Sequence, residues 1–168
     1  MKRPTRAPDV VGEAQLVMQC TANDMLTLVM DPERYRAVDR KIGAISWVRC
    51  SEDLQETLFR FRPKLWLLPS LVRSTQRVVR HEDQSISIRA LPSWSDRLAY
   101  FEASVVCSPA GSGVLVQRQL QFWLSPPLRW TITAPLRRWL ATDVQHELAS
   151  ARDLLERNGA TTSDRTKR

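Results

Sequence analysis

Val114–Leu124, VLVQRQLQFWL, followed by Pro135–Arg157, PLRRWLATDVQHELASARDLLER, decides the fold. The first stretch alternates: Gln117, Gln119 and Gln121 take one face, and Val116, Arg118, Leu120 and Phe122 the other, which is the period of a strand with one wet side. In the second stretch Leu136, Leu140, Val144, Leu148, Ala151 and Leu155 recur every three or four residues and form one apolar stripe on a helix. Between them Ser125-Pro126-Pro127 ends the strand, since consecutive prolines cannot continue a ladder. Thr133 is the expected cap of the helix and Asn158-Gly159 its expected stop, because both residues tolerate the left-handed conformation. A single amphipathic helix must bury its stripe against something, and the segments upstream are mostly strands.

Upstream, the period is two at about Ile42–Ser51, Gln55–Arg62, Leu71–His81, Ser85–Leu91 and Arg97–Ser108, with short polar or glycine-bearing turns between most of them. Val10–Cys20 also alternates, with Ala14, Leu16, Met18 and Cys20 on one side. Thr21 can cap the helix that follows it, which carries Met25, Leu26, Val29 and Met30, and Asp31-Pro32 restarts a second short helix to about Val38. The order is strand, two short helices, six strands, long helix. That order predicts an α+β domain in which a curved seven-stranded antiparallel sheet wraps around the long C-terminal helix and leaves a hollow between them. Residues 1–9 are expected to be a flexible arm, 10–158 the domain, and 159–168 a disordered tail.

The 168 residues suffice for one core, and the composition (43% hydrophobic, 26% charged) is globular. The net charge of +7 is spread along strand-like stretches as solvated faces would spread it, so specific nucleic-acid binding is not expected. Cys20, Cys50 and Cys107 are odd in number and lack a CxxC spacing, so buried reduced thiols are expected rather than a disulfide framework or a zinc site. The N-terminus has no apolar signal region, and nothing approaches the ~20 apolar residues of a membrane span. A cytoplasmic protein without metal or cofactor is the expectation.

Local sequence then carries a resemblance. Met30-Asp31-Pro32-Glu33-Arg34-Tyr35, continued by Ala37-Val38-Asp39, resembles the "DPerYp.w" segment of the START-like (SRPBCC, helix-grip) superfamily, with Val38 where an aromatic residue is commoner. Gly111–Val116 resembles the "GGT.v" hairpin before the last strand, with Ser112-Gly113 in place of the usual pair. Leu148–Leu155 is similar to the terminal "EL..lk..lE" helix. The resemblance spans about residues 10 to 157. It implies a fold and an apolar cavity, not a reaction, since the superfamily holds lipid carriers, hormone binders, polyketide aromatases and cyclases, and quinone-binding proteins.

The expected cavity wall is Trp47, Phe59, Phe61, Trp66, Phe101, Leu120 and Phe122 from the sheet, with Leu140, Val144 and Leu148 from the helix. Trp123 is expected in the core or the same wall. Arg118 points inward and is placed roughly opposite Ala103; buried, it needs a partner. That partner is a ligand's carboxylate, phenolate or phosphate, or an internal salt bridge, unless a bulge lets the arginine reach water. The cluster Leu65-Trp66-Leu67-Leu68 reads as a cavity lid, a membrane-touching tip or a strand extension. Trp130 and Trp139 among Arg129, Arg137 and Arg138 suit an anionic membrane surface or an ordinary packed helix start. His81 and His146 have no metal-ligand or nucleophile partner at a recognisable spacing, so no catalytic residue is assigned. The leading expectation is binding or transport of a hydrophobic small molecule (lipid, isoprenoid or polyketide-like). The alternatives are a polyketide cyclase or dehydratase-like enzyme and a membrane-associated lipid or quinone chaperone.

Overall fold

The computed structural model describes residues 4–64, 73–91 and 99–165. The chain runs β1 (Val10–Met18), α1 (Ala22–Met30), α2 (Pro32–Tyr35), β2 (Ile42–Cys50), β3 (Glu56–Pro63), β4 (Ser74–Arg80), β5 (Ser85–Ala90), β6 (Ala99–Ala110), β7 (Gly113–Leu124) and α3 (Pro126–Arg165). The seven strands form one antiparallel sheet in the order β1-β7-β6-β5-β4-β3-β2, a curved sheet with the long helix across it. This is the α+β helix-grip architecture read from the sequence. Trp66 and its cluster Leu65–Leu68 lie outside the described residues.

The short helices are set by their caps. Thr21 accepts from the Asp24 amide while the Asp24 carboxylate accepts from the Thr21 amide, a reciprocal box that satisfies two otherwise orphaned donors. Asp31 accepts from the amides of Glu33 and Arg34 above Pro32, which opens α2. Helix α2 ends at Tyr35, three residues before the expected Val38.

Helix α3 differs most from expectation. It starts at Pro126, nine residues before the expected Pro135, and continues past Asn158-Gly159 to Arg165. The two prolines that end β7 also suit a helix's first turn, where the missing amide hydrogen costs nothing. Pro135 is accommodated inside the helix, and Thr133, read as a cap, instead turns its hydroxyl back onto the Arg129 carbonyl at 2.6 Å. The segment read as a loose arm is tied down at Arg6 and Asp9. Asp9 accepts from the Leu124 amide at 2.7 Å and pairs with Arg129, and the Arg6 carbonyl accepts from the Trp123 indole at 2.8 Å.

The core lies between the concave sheet face and the helices. Leu140, Val144 and Leu148 are fully buried there, and the first two cross β1 at Gly12. A side chain on Gly12 would begin 2.4 Å from Leu140 Cδ2 and 3.2 Å from Val144 Cγ2, so the glycine is what lets α3 rest directly on the strand. Cys20, Cys50 and Cys107 are free thiols, but only Cys107 is buried; Cys20 is half-buried and Cys50 exposed.

Candidate functional site

A cavity of about 120 Å³ lies between the concave face and α2. Its apolar wall is built by Phe59 and Phe61 of β3, Ile88 of β5, Phe101 of β6, and Leu120 and Phe122 of β7. Alternation on each strand brings these rings to one face: Phe59 contacts Phe61 at 5.2 Å between centroids, and Phe101 contacts its cross-strand partner Phe122 at 5.4 Å. Five of the expected wall residues, together with Arg118, therefore meet here.

Four others do not. Trp47 lies on the opposite face of the sheet. Ile45 pairs with Phe61, but register shifts on β2 set Trp47 against exposed Arg60 and Val48 against buried Phe59. A bulge inverts the alternation that reads Trp47 as inward; its ring instead stacks under the Arg49 guanidinium at 5.2 Å. Leu140, Val144 and Leu148 pack against the β1 side of the sheet and leave the cavity lining to other residues. Trp123 is buried on the outer face, against Tyr100 and beneath the Arg6 segment.

The cavity floor is polar. Arg118 sits opposite Val105, two residues from the expected Ala103, because the turn at Gly111-Ser112 pairs Ala110 directly with Gly113; the inward face is the same. It is 2% exposed, and its Nε donates to Glu147 Oε1 at 2.9 Å while Nη1 reaches the Ser104 carbonyl at 3.4 Å. Of the partners open at the sequence level, the internal salt bridge is present. Glu147 is fully engaged. Tyr35 donates its hydroxyl to Oε1, and Lys41 Nζ donates to Oε2 at 2.8 Å. Lys41 also meets Asp143 at 2.5 Å and Asp39 at 2.9 Å, so its three donors face three carboxylates.

Burial would raise Glu147, but Arg118 and Lys41, with hydrogen bonds from Lys41 and Tyr35, hold it down at about 2. Burial and the neighbouring Glu147 charge push Asp39 up to about 6 against the pull of Lys41 and Arg118. Tyr35 is pushed up by burial and by Glu147, so it stays a neutral donor. Burial opposes the charges of Lys41 and Arg118, yet Glu147 and Asp39 raise both, and both stay protonated. The group contains three carboxylates and two cations; fully ionised, it would carry one negative charge in excess, and Asp39 is the member least compensated.

Sequence reading missed Glu147, Lys41 and Asp143 as partners. For Glu147 the signal was present: it falls three residues after Val144 and four before Ala151, on the buried stripe itself, where a carboxylate needs a cation. Lys41 carries no such mark, since it lies in the connection between α2 and β2. His146 is exposed in a groove on the far side of α3, and His81 is an exposed residue whose Nε2 meets the Ser87 hydroxyl at 2.9 Å. Among the described residues no group of metal-ligand type is assembled, and no helix is long and apolar enough to cross a membrane.

No protein-family model and no curated protein matches the sequence. Solved structures do match in fold. A protein of Thermus thermophilus superposes with a TM-score of 0.71 at 15% identity, over 88% of this chain and 98% of that one. A START superfamily protein from Mycobacterium smegmatis gives 0.60 at 15% identity, over 88% and 97%. The di-domain aromatase/cyclase StfQ of the steffimycin biosynthetic pathway gives 0.65 at 15% identity, over 90% of this chain and 53% of that one. With the strand order, the caps around Asp31-Pro32 and the gripping helix already in place, these likenesses agree on one architecture: the chain has the helix-grip fold of the START-like (SRPBCC) superfamily.

Proposed function

We propose that the protein binds a hydrophobic small molecule in the cavity beside α2, with Arg118 at its polar end. The observation that supports this most directly is the cavity itself: an aromatic wall ending on a fixed cluster of charge, the combination that holds an apolar body and orients one polar group. Its volume of about 120 Å³ sets the scale of what fits. An apolar cavity of roughly 150 Å³ takes one benzene ring. The described space is somewhat smaller than that, so one ring or a short chain is the upper limit of what it encloses, and a longer lipid, isoprenoid or polyketide would enter by one end only.

Native mass spectrometry of the protein purified without detergent, followed by solvent extraction, tests the reading. A retained apolar molecule is the expected result. A ligand-free mass, together with no uptake of one-ring compounds by the purified protein, would overturn it.

A second reading, a cyclase or dehydratase-like enzyme, is favoured by one specific feature: Tyr35, Asp39 and Arg118 all line the cavity, and proton transfer requires converging polar groups of this kind. The chaperone reading is weakened by the same structure. Arg129 pairs with Asp9 and Arg137 donates to the Asp9 carbonyl, so two of the three arginines assigned to a membrane serve the protein's own N-terminal segment.

A further inference from the structure

The charge cluster is nearly closed on itself, and what it leaves over is specific. Lys41 has spent its three donors on Asp39, Asp143 and Glu147. Both Glu147 oxygens are taken by Tyr35, Arg118 and Lys41. Two groups remain without a partner among the described residues. Arg118 uses Nε and Nη1, and its Nη2 has no acceptor. Asp39 uses Oδ1 for both the Lys41 amide and ammonium, and its Oδ2 has no donor. Both residues line the cavity, and each lies within the other's electrostatic reach. The residues lining the cavity thus include one with an unmatched donor and one with an unmatched acceptor.

The charge count decides what can occupy them. Six groups from four places meet here: Tyr35 on α2, Asp39 and Lys41 in the connection to β2, Arg118 on β7, and Asp143 and Glu147 on α3. A bare anion brought to a site already short of positive charge would have to be buried uncompensated. A plain hydrocarbon would leave both groups unmatched. A carboxyl group that retains a proton has the matching chemistry, with a carbonyl oxygen to accept from Arg118 and a hydrogen to share with Asp39.

We propose that the Arg118–Asp39 end of the cavity takes a small, apolar organic acid together with one proton, shared between the ligand's carboxyl and that of Asp39. The step is acid–base only: free carboxylate, free Asp39 carboxylate and one proton from solvent become one hydrogen-bonded pair. It rests on the cavity being a ligand site, and it adds the class of ligand and the stoichiometry of proton uptake.

The test is calorimetric titration with benzoic acid, benzamide and toluene, each in two buffers of different ionisation enthalpy. Benzoic acid titrates in the ordinary carboxylate range, so above the Asp39 value of about 6 both partners are ionised before binding. The expected result is uptake of one proton per benzoate and a dissociation constant rising about tenfold for each pH unit above that value. Benzamide, a neutral group with the same donor and acceptor, binds without that dependence, and Asp39→Asn removes it for benzoate. Benzamide and toluene binding while benzoate shows no buffer-dependent proton uptake would overturn this inference and leave the cavity reading standing. Failure of all three to bind would overturn both. The proton count is read on the unaltered protein, so it stands whether or not the variant folds.

Discussion

A single carboxyl shows how burial sets behaviour at the residue scale. Unfolded, Asp39 titrates at ~3.9; folded, it is pushed up to about 6 by burial and by Glu147. Between those values the folded state holds the extra proton, so stability falls as pH rises through the window and is level above it. Glu147 has the opposite sign. Its value of about 2 lies below that of an unfolded glutamate, so its contribution is present at neutral pH and is lost as pH falls toward 2. The two effects occupy different windows and can be separated. Asp39→Asn cannot ionise and lacks the loss on the alkaline side. Urea unfolding of parent and variant at about pH 4.5 and about pH 7.5 is expected to show their difference moving toward the variant by on the order of 2 kcal/mol. A difference that does not change with pH would mean that Asp39 is fully compensated in the folded protein.

At the element scale the controlling contact is α3 across β1. Leu140 has no exposed surface, and a methyl on Gly12 would meet its Cδ2, its Cβ and Val144 Cγ2 together. Gly12→Ala is therefore expected to lower stability by about 1–3 kcal/mol, the usual cost of overpacking a filled site. Denaturant unfolding measures it, and an unchanged midpoint would show that the helix can shift on the strand. Such contacts also mark where sequence stops being informative. The strands were legible because period-two alternation is a local property, and β7 and β6 fall within a few residues of their reading. Trp47 was not legible, since a bulge set by pairing with β3 inverts its side, and pairing is not local. Helix α3 was misbounded for a different reason: Pro126-Pro127 suits both the end of a strand and the first turn of a helix, while Pro135 and Gly159 carry only a local preference against a helix, which does not by itself end one. Arg118 was legible as inward, and its partner lay on the stripe already identified; joining the two required knowing which turn of α3 faces β7.

For the molecule as a whole, the grip is asymmetric, and this asymmetry makes room for a cavity. Helix α3 is seated on β1 and β7, where Gly12 allows close approach, and the opposite part of the concave face is left to α1 and α2. There the rings of Phe59, Phe61, Phe101 and Phe122 surround space that no helix fills, and the charge cluster closes the side toward α3 by tying Glu147 and Asp143 to Lys41 and Arg118. If this space is the binding site, filling it should remove binding and spare the fold. Val78 on β4 lines the cavity opposite Ile88 and is 1% exposed. Val78→Phe adds a ring at the cavity wall, where the vacant volume takes up part of it, so its cost is expected toward the lower end of the ~1–3 kcal/mol of ordinary overpacking. Benzamide uptake by calorimetry and the thermal midpoint, read on the same preparation, check the two halves together. Lost uptake with a near-parental midpoint is the expected outcome. Retained uptake at a parental midpoint would place the bound molecule elsewhere, with the grooves flanking α3 the next surfaces to probe.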